Sequence, residues 1–202
     1  MINPVVFKIA RKFCQGATAA AEDFQQAISL LSPDVMQSSL LVFDFGKVNV
    51  VTASYLKGTV YLGLLCGMLF ARQRVTDADL PVGARPLSIF VAVIGCNAET
   101  SEEINEFFLG KHLPILFLTG KSGHPQNKAH LLGEIDPLLK RTLVLLYGTG
   151  DATAADLADK AREPITLNGW NNRLADIYDL RLASRTRSGK FWIYSPLAER
   201  IV

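Results

Sequence analysis

Apolar runs alternate with helical runs along the first 120 residues of the chain. The predicted strands lie at residues 4–10, 40–45, 87–95 and 113–119, and the predicted helices at 18–31, 52–72 and 99–109. In the first helix, Phe24, Ile28 and Leu31 share one face. Apolar strands separated by helices favour a mostly parallel sheet covered by helices. The pattern therefore predicts an α/β fold here, with residues 75–86 as an internal loop.

The last third of the chain has a different pattern, in which two short helices precede a hairpin. Thr153 and Asp156 form a capping pattern ahead of a predicted helix Ala154–Ala161, and Pro164 breaks that helix. Thr166 can cap the next helix. The order predicted for this region is helix, turn, helix and a short basic hairpin.

The second of these helices has an apolar stripe and a polar face. Its apolar residues, at i, i+4 and i+7, are Trp170, Leu174 and Ile177. The polar residues turned away from that stripe are Asn168, Asn171, Asn172 and Arg173. Amides and guanidinium groups can make bidentate hydrogen bonds to base edges in a major groove. The hairpin carries the cations Arg185, Arg187 and Lys190 around a Gly turn, with aromatic residues behind them. These residue types in this order are typical of DNA recognition.

Residues 136–197 resemble a winged-helix DNA-binding domain of the bacterial regulator type. The resemblance rests on the recognition-helix run 170–177 and on the closing run 182–185. It departs at Arg181, where that family usually has a helix-ending Gly. The resemblance implies that the second helix reads double-stranded DNA, that the hairpin contacts the DNA backbone, and that two copies pair as a homodimer. Winged helices also serve as protein-binding modules, so a protein partner remains the alternative.

Residues 5–72 are similar to a STAS-like domain. The similarity rests on the helix at 20–31 and on the run 41–56, where a strand ends at Asp44 and a turn leads to a helix start bearing Ser and Thr. That family serves in protein–protein signalling and small-ligand sensing. Its anti-sigma-antagonist members carry a phosphorylatable Ser where this chain has Ala53. The resemblance therefore implies a possible protein partner for this region and leaves the phosphorylation switch without its acceptor.

Together these patterns predict a STAS-like α/β domain over residues 1–120, a linker over 121–135 and a winged helix-turn-helix domain over 136–202. We expect a cytoplasmic transcriptional regulator that binds double-stranded DNA as a homodimer. The alternative is a non-enzymatic adaptor whose winged helix docks a partner protein.

Composition and charge agree with a regulator rather than a nonspecific nucleic-acid coat. Of the 202 residues 49% are hydrophobic, which is ample for a buried core, and the net charge is only +2. The positive charge is concentrated in one segment, however. Residues 168–190 carry five cations, at positions 173, 181, 185, 187 and 190, against two anions, at 176 and 179. A local basic face on a balanced protein suits sequence-specific binding.

The sequence predicts no enzyme, metal, cofactor or membrane span. The three cysteines, Cys14, Cys66 and Cys96, contain no C-x-x-C pair and favour a reducing cytoplasm. The first residues lack the basic start and long apolar stretch of a signal peptide. The apolar run 58–71 is shorter than the roughly 20 residues that a span needs. Gly120-Lys121-Ser122 lacks the earlier Gly of a phosphate-binding loop, and His112, His124 and His130 match no zinc spacing.

Overall fold

The computed structural model describes residues 2, 4–31, 39–72, 89–120 and 128–202. In these ranges the strands are β1 Pro4–Lys8, β2 Phe13–Cys14, β3 Ser39–Asp44, β4 Val50–Val51, β5 Ile89–Ile94, β6 Pro114–Thr119, β7 Lys128–Gly133, β8 Ala183–Ser188, β9 Phe191–Pro196 and β10 Arg200–Ile201. The helices are α1 Ala17–Ser29, α2 Ala53–Gly58, α3 Val60–Arg72, α4 Ala98–Leu109, α5 Pro137–Thr149, α6 Ala154–Ala161 and α7 Leu167–Asp179. The predicted loop at 75–86 lies outside the described residues.

Six strands form the central sheet in the order β1-β3-β5-β6-β7-β10. Strands β1, β3, β5 and β6 run parallel, β7 is antiparallel to β6, and β10 is parallel to β7. Every residue of β5 is buried, as expected for a strand covered on both faces. The prediction of an α/β fold with a mostly parallel sheet is confirmed.

The helices between the parallel strands lie on one face of the sheet. The four parallel strands are added in one direction, and crossovers between parallel strands are right-handed, so α1, α2, α3 and α4 fall on the same side. Their apolar side chains and those of the sheet form one core, which includes Phe43, Val91 and Ile104. This order leaves the opposite face of the sheet to be covered by another part of the chain.

The C-terminal helices and the β8–β9 hairpin cover that opposite face. Val42 and Phe90 of the sheet belong to one buried core with Leu146 of α5 and Tyr178 of α7. The rings of Phe90 and Tyr178 meet edge to face, with their centroids 6.3 Å apart. Helix α7 is therefore packed directly onto the parallel sheet.

The segment predicted as a linker, 121–135, contains a strand of the sheet. Residues 121–127 lie outside the described ranges, but Lys128–Gly133 forms β7, which pairs with all six residues of β6. The chain end returns as β10 beside β7. Backbone pairing with β6 is a long-range interaction, and the polar residues that precede β7 hide it in the sequence. The described part of this segment is thus built into the fold rather than extended between domains.

The predicted long helix at 52–72 is two helices. Helix α2 ends at Gly58. The next residue, Thr59, leaves the helical region of the backbone (φ −122°, ψ −92°), and its buried hydroxyl donates to the carbonyl oxygen of Tyr55 at 2.7 Å. The predicted helix Ala154–Ala161 is found with those bounds. Within the described ranges no helix has the length and apolarity that crossing a bilayer requires.

Candidate nucleic-acid interface

Local capping positions the two short helices, α6 and α7. The backbone N–H of Thr153 donates to the carboxylate of Asp156 at 2.7 Å, and the N–H of Asp156 donates back to the Thr153 hydroxyl at 3.3 Å. Thr166 caps α7 by accepting from the N–H of Gly169 at 3.2 Å. A Cβ at Gly169 would lie 2.6 Å from the side chain of Ile165. A side chain at position 169 would therefore displace Ile165 in the turn that precedes α7.

Helix α7 has one buried face and one exposed face. Trp170, Leu174 and Ile177 are buried, as the i, i+4 and i+7 spacing predicts, and Tyr178 is buried beside them. The stripe packs against α5, α6 and the sheet. The side chains on the opposite face of α7 are therefore directed to solvent.

The exposed face of α7 is amide-rich in its first half and acidic in its second. Asn168, Asn171 and Asn172 are all exposed, and their spacing of three and four residues places them side by side. Asp176 and Asp179 are exposed one to two turns later. Burial, and then the charge of Asp179, raise the pKa of Asp176. Only the N-terminal half of this face offers neutral hydrogen-bonding groups.

Arg173 is held against the turn between the two helices. Its Nη1 lies 3.3 Å from the carboxylate of Glu163, and its guanidinium carbon lies 5.4 Å from the centre of the Trp170 ring. Its side chain is 18% exposed. Any anion or base that binds Arg173 therefore has to compete with Glu163.

Arg185 is stacked between two aromatic rings at the base of the hairpin. Its guanidinium carbon lies 4.2 Å from the ring centre of Tyr178 in α7 and 4.2 Å from that of Trp192 in β9. Such stacking is favourable for a planar cation. The geometry makes Arg185 a brace that fixes the hairpin against α7, and it leaves the hairpin tip to other cations.

The hairpin tip carries Arg187 and Lys190 around Gly189. Arg187 is half-buried and donates from Nε to the Gly189 carbonyl at 3.2 Å, and Lys190 is exposed. Trp192 packs against the core, as strand alternation predicts, whereas Phe191 is 67% exposed. The tip therefore combines two cations with one exposed aromatic ring.

One exposed cation beside α7 was not predicted from the sequence. Arg162 follows α6 in the left-handed conformation (φ 53°) and is exposed at the turn that precedes α7. The signal that could have revealed it is a cation placed between a capped helix and a Pro-containing turn. The cations of this turn and of the hairpin tip that reach the surface are thus Arg162, Arg187 and Lys190.

The other sequence candidates have local roles in the described part of the chain. Asp44 accepts from the N–H of Gly46 at 2.9 Å, so it is a turn residue. The three cysteines are free, and burial raises the pKa of the Cys14 thiol. His112 lies 2.5 Å from the carboxylate of Glu134 on the surface. Among the described residues no cluster of three or more His, Cys, Asp or Glu side chains is arranged to hold a metal ion; His124 lies outside them.

No family model, curated protein or solved structure matches this chain. The class of the protein therefore follows from its geometry alone. It is a mixed α/β protein in which two capped helices and a hairpin are packed on one face of a mostly parallel sheet.

Proposed function

We propose that this protein is a cytoplasmic, DNA-binding transcriptional regulator whose C-terminal region acts as a winged helix-turn-helix. Two observations carry the proposal: the row of exposed amides on α7, Asn168, Asn171 and Asn172, and the cations at the tip of a hairpin whose base packs on the same helix through Arg185 and Tyr178. The helix order, the capped turn and the hairpin match what such a module needs in order to present one helix to a major groove.

In this proposal the amides read bases and the cations hold phosphates. An Asn side chain can bond adenine N6 and N7 together, so Asn171 and Asn172 supply sequence preference. Arg187 and Lys190 contact phosphates or the minor groove, which sets register and salt dependence. Arg162, at the turn before α7, is placed for a further phosphate contact. Arg173 joins the interface when DNA displaces Glu163.

The N-terminal part of the fold supplies sensing or pairing in the manner of a STAS-like domain. Two observations support this role. The shared core links the sheet to α7 through Phe90 and Tyr178, so a change in the sheet can reach the reading helix. The β2–β4 ribbon exposes Phe13, at 61%, and Val50, at 40%, which offers an apolar surface for a second copy or a partner protein. A homodimer would read two half-sites related by its two-fold axis.

A protein–protein adaptor is the second candidate, and specific observations favour it. Two exposed carboxylates on α7, Asp176 and Asp179, reduce the positive potential of this helix. Arg173 is already paired with Glu163. Phe191 exposes an aromatic ring at the hairpin tip. Aromatic side chains are enriched at protein interfaces. The two candidates differ in one property, because only DNA binding depends steeply on salt through the hairpin cations.

The test compares DNA binding of the wild type with a hairpin variant across a salt series. Fluorescence anisotropy with labelled duplex DNA is measured for the wild type, for Arg187→Ala/Lys190→Ala and for Lys12→Ala/Lys57→Ala. The control pair removes the same charge from exposed sites in the N-terminal region. We expect the hairpin variant to lose about two units of the log–log salt slope, since each phosphate contact contributes about 0.9, while the control keeps the slope. Equal slopes for all three proteins would leave the adaptor as the function.

A further inference from the structure

A groove of about 580 Å³ lies between α5, the end of α6 and the start of α7. Its walls include Lys140, Arg141, Val144, Leu145, Glu163 and Trp170. Small-molecule sites in proteins are concave, mainly apolar and usually between about 300 and 1,000 Å³. The groove fits that description, and it borders the helix that carries the proposed DNA-reading residues.

Trp170 brings an unsatisfied hydrogen-bond donor to this region. Its side chain is 1% exposed, and its indole N–H has no acceptor among the residues that the structure describes. Buried Trp N–H groups usually find a partner, because an unmade buried hydrogen bond costs about 1–3 kcal/mol. The missing acceptor shows that the described residues leave the surroundings of Trp170 incomplete.

The charges at the groove favour a negative ligand. Lys140 and Arg141 are adjacent and exposed on α5, and they have no ion pair within the described ranges. The single carboxylate in the wall, Glu163, is already paired with Arg173 at 3.3 Å. Val144 is 49% exposed, and Leu145 is half-buried beside it. The groove therefore combines an apolar floor with a cationic rim.

We propose that this groove binds a small amphipathic carboxylate. The apolar part lies against Val144, Leu145 and Trp170, and the carboxylate lies between Lys140 and Arg141. This is an effector site on the same module that the proposed function assigns to DNA.

The groove is coupled to DNA binding through Arg173, and this part rests on the proposed function. Trp170 and Glu163 line the groove, and both also hold the Arg173 guanidinium. A carboxylate in the groove repels Glu163 and weakens its ion pair with Arg173. The freed guanidinium is then available to DNA, so the ligand raises DNA affinity.

Tryptophan fluorescence tests the groove without DNA. The chain has two tryptophans, so the Trp192→Phe variant leaves Trp170 as the sole reporter. The probes are decanoate and decanol, which share an apolar chain and differ in charge, both used below the concentration at which they self-associate. We expect a saturable signal with decanoate and about fivefold weaker binding of decanol, since exposed ion pairs contribute about 0.2–1 kcal/mol each. No saturable signal, or equal affinities, would overturn the proposal.

Charge variants locate the carboxylate. In the same background, Lys140→Gln/Arg141→Gln should bind decanoate no better than decanol, whereas Lys12→Gln/Lys57→Gln should keep the wild-type preference. Circular dichroism confirms that each variant is folded. If the groove variant keeps the preference for decanoate, the carboxylate lies elsewhere and the assignment is wrong.

A DNA-binding arm separates this inference from the proposed function. Decanoate should raise the DNA affinity of the wild type severalfold and have a smaller effect on Glu163→Gln, in which the ion pair is already weakened. If decanoate binds while no DNA binds at any salt, the proposed function fails and the groove stands. If DNA binds while decanoate does not, the groove fails alone. If both bind without affecting each other, the coupling through Arg173 is wrong.

Discussion

Arg181 provides the sharpest test of how α7 is packed onto the sheet. The residue follows α7 in the left-handed conformation (φ 63°) and is 1% exposed. Its three guanidinium nitrogens have no hydrogen-bond partner among the described residues. The guanidinium carbon lies 4.4 Å from the centre of the Tyr178 ring and 5.5 Å from that of Phe90. Burial lowers the pKa of the Arg181 guanidinium, as expected for a charge removed from water.

The variant Arg181→Met isolates the effect of that charge. Methionine is also unbranched, so it keeps most of the packing volume, and it bears a similar cost for the left-handed backbone. Replacing a buried ion pair by apolar side chains is neutral or stabilises proteins by about 1–4 kcal/mol, and a buried charge without a partner is no cheaper to keep; a desolvated cation over an aromatic ring contributes about 2 kcal/mol. The two effects oppose each other, and we expect Arg181→Met to gain roughly 1 kcal/mol of unfolding free energy.

Urea unfolding followed by far-ultraviolet circular dichroism measures this change. Arg162→Met is the matched control, because Arg162 is also left-handed (φ 53°) but exposed, and it should leave the unfolding free energy nearly unchanged. A loss of more than about 2 kcal/mol of unfolding free energy in Arg181→Met would contradict this expectation, since only a guanidinium with a strong partner is that costly to remove.

Three further substitutions probe the fold by the same unfolding assay. Gly67→Ala should lower the unfolding free energy by about 1–3 kcal/mol, because the new Cβ would overlap the carbonyl oxygen of the first residue of β5. The control Gly63→Ala should lower it by nothing, since the nearest atom to its Cβ is 3.4 Å away. Equal losses in the two variants would contradict the overlap. Tyr55→Phe should lower the unfolding free energy by about 1.5–3 kcal/mol, because the Tyr55 hydroxyl donates at 2.6 Å to the buried carboxylate of Asp23. An unchanged midpoint of urea unfolding would show that this hydrogen bond is not stabilising. Hydrogen bonds from the threonine that caps α6 lower the pKa of the Asp156 carboxyl in the folded protein. The stability that this carboxylate contributes is therefore complete above its pKa in the unfolded chain, and it is lost as the pH falls through its lower pKa in the folded protein. The stability difference between wild type and Asp156→Asn should thus shrink below about pH 4, and a pH-independent difference would count against the cap.

The elements that could be predicted from the sequence are those with local signals. The capping pair Thr153 and Asp156, three residues apart, marks the start of α6, and the apolar spacing from Trp170 to Ile177 marks the buried stripe of α7. Strands β3 and β5 are continuous apolar runs because both of their faces are covered. Each of these features leaves its signal in a short stretch of neighbouring residues.

The features that could not be predicted depend on distant contacts. Strand β7 is defined by its pairing with β6, and the backbone leaves the helix at Thr59, where the long apolar run 58–71 begins. The C-terminal helices were expected as a separate domain, but they share a core with the sheet, because among the described residues they are what covers one of its faces.

In the candidate interface, the exposure of the three asparagines follows from helix geometry. Helix geometry does not predict that Arg173 pairs with Glu163, ten residues away, or that Arg185 stacks between two rings. Periodicity shows which way a side chain leaves a helix. It does not show what meets that side chain there.

Selection of randomised duplex DNA on the purified full chain shows whether α7 reads DNA. We expect enrichment of a short site, arranged as an inverted repeat if two copies bind, with adenines at positions read by Asn171 and Asn172. Asn172→Ala should then relax the preference at one position, costing about 1–3 kcal/mol there, while Arg187→Ala should weaken binding to all sequences alike. Weak, uniform binding with no enriched sequence would contradict the claim that α7 reads DNA.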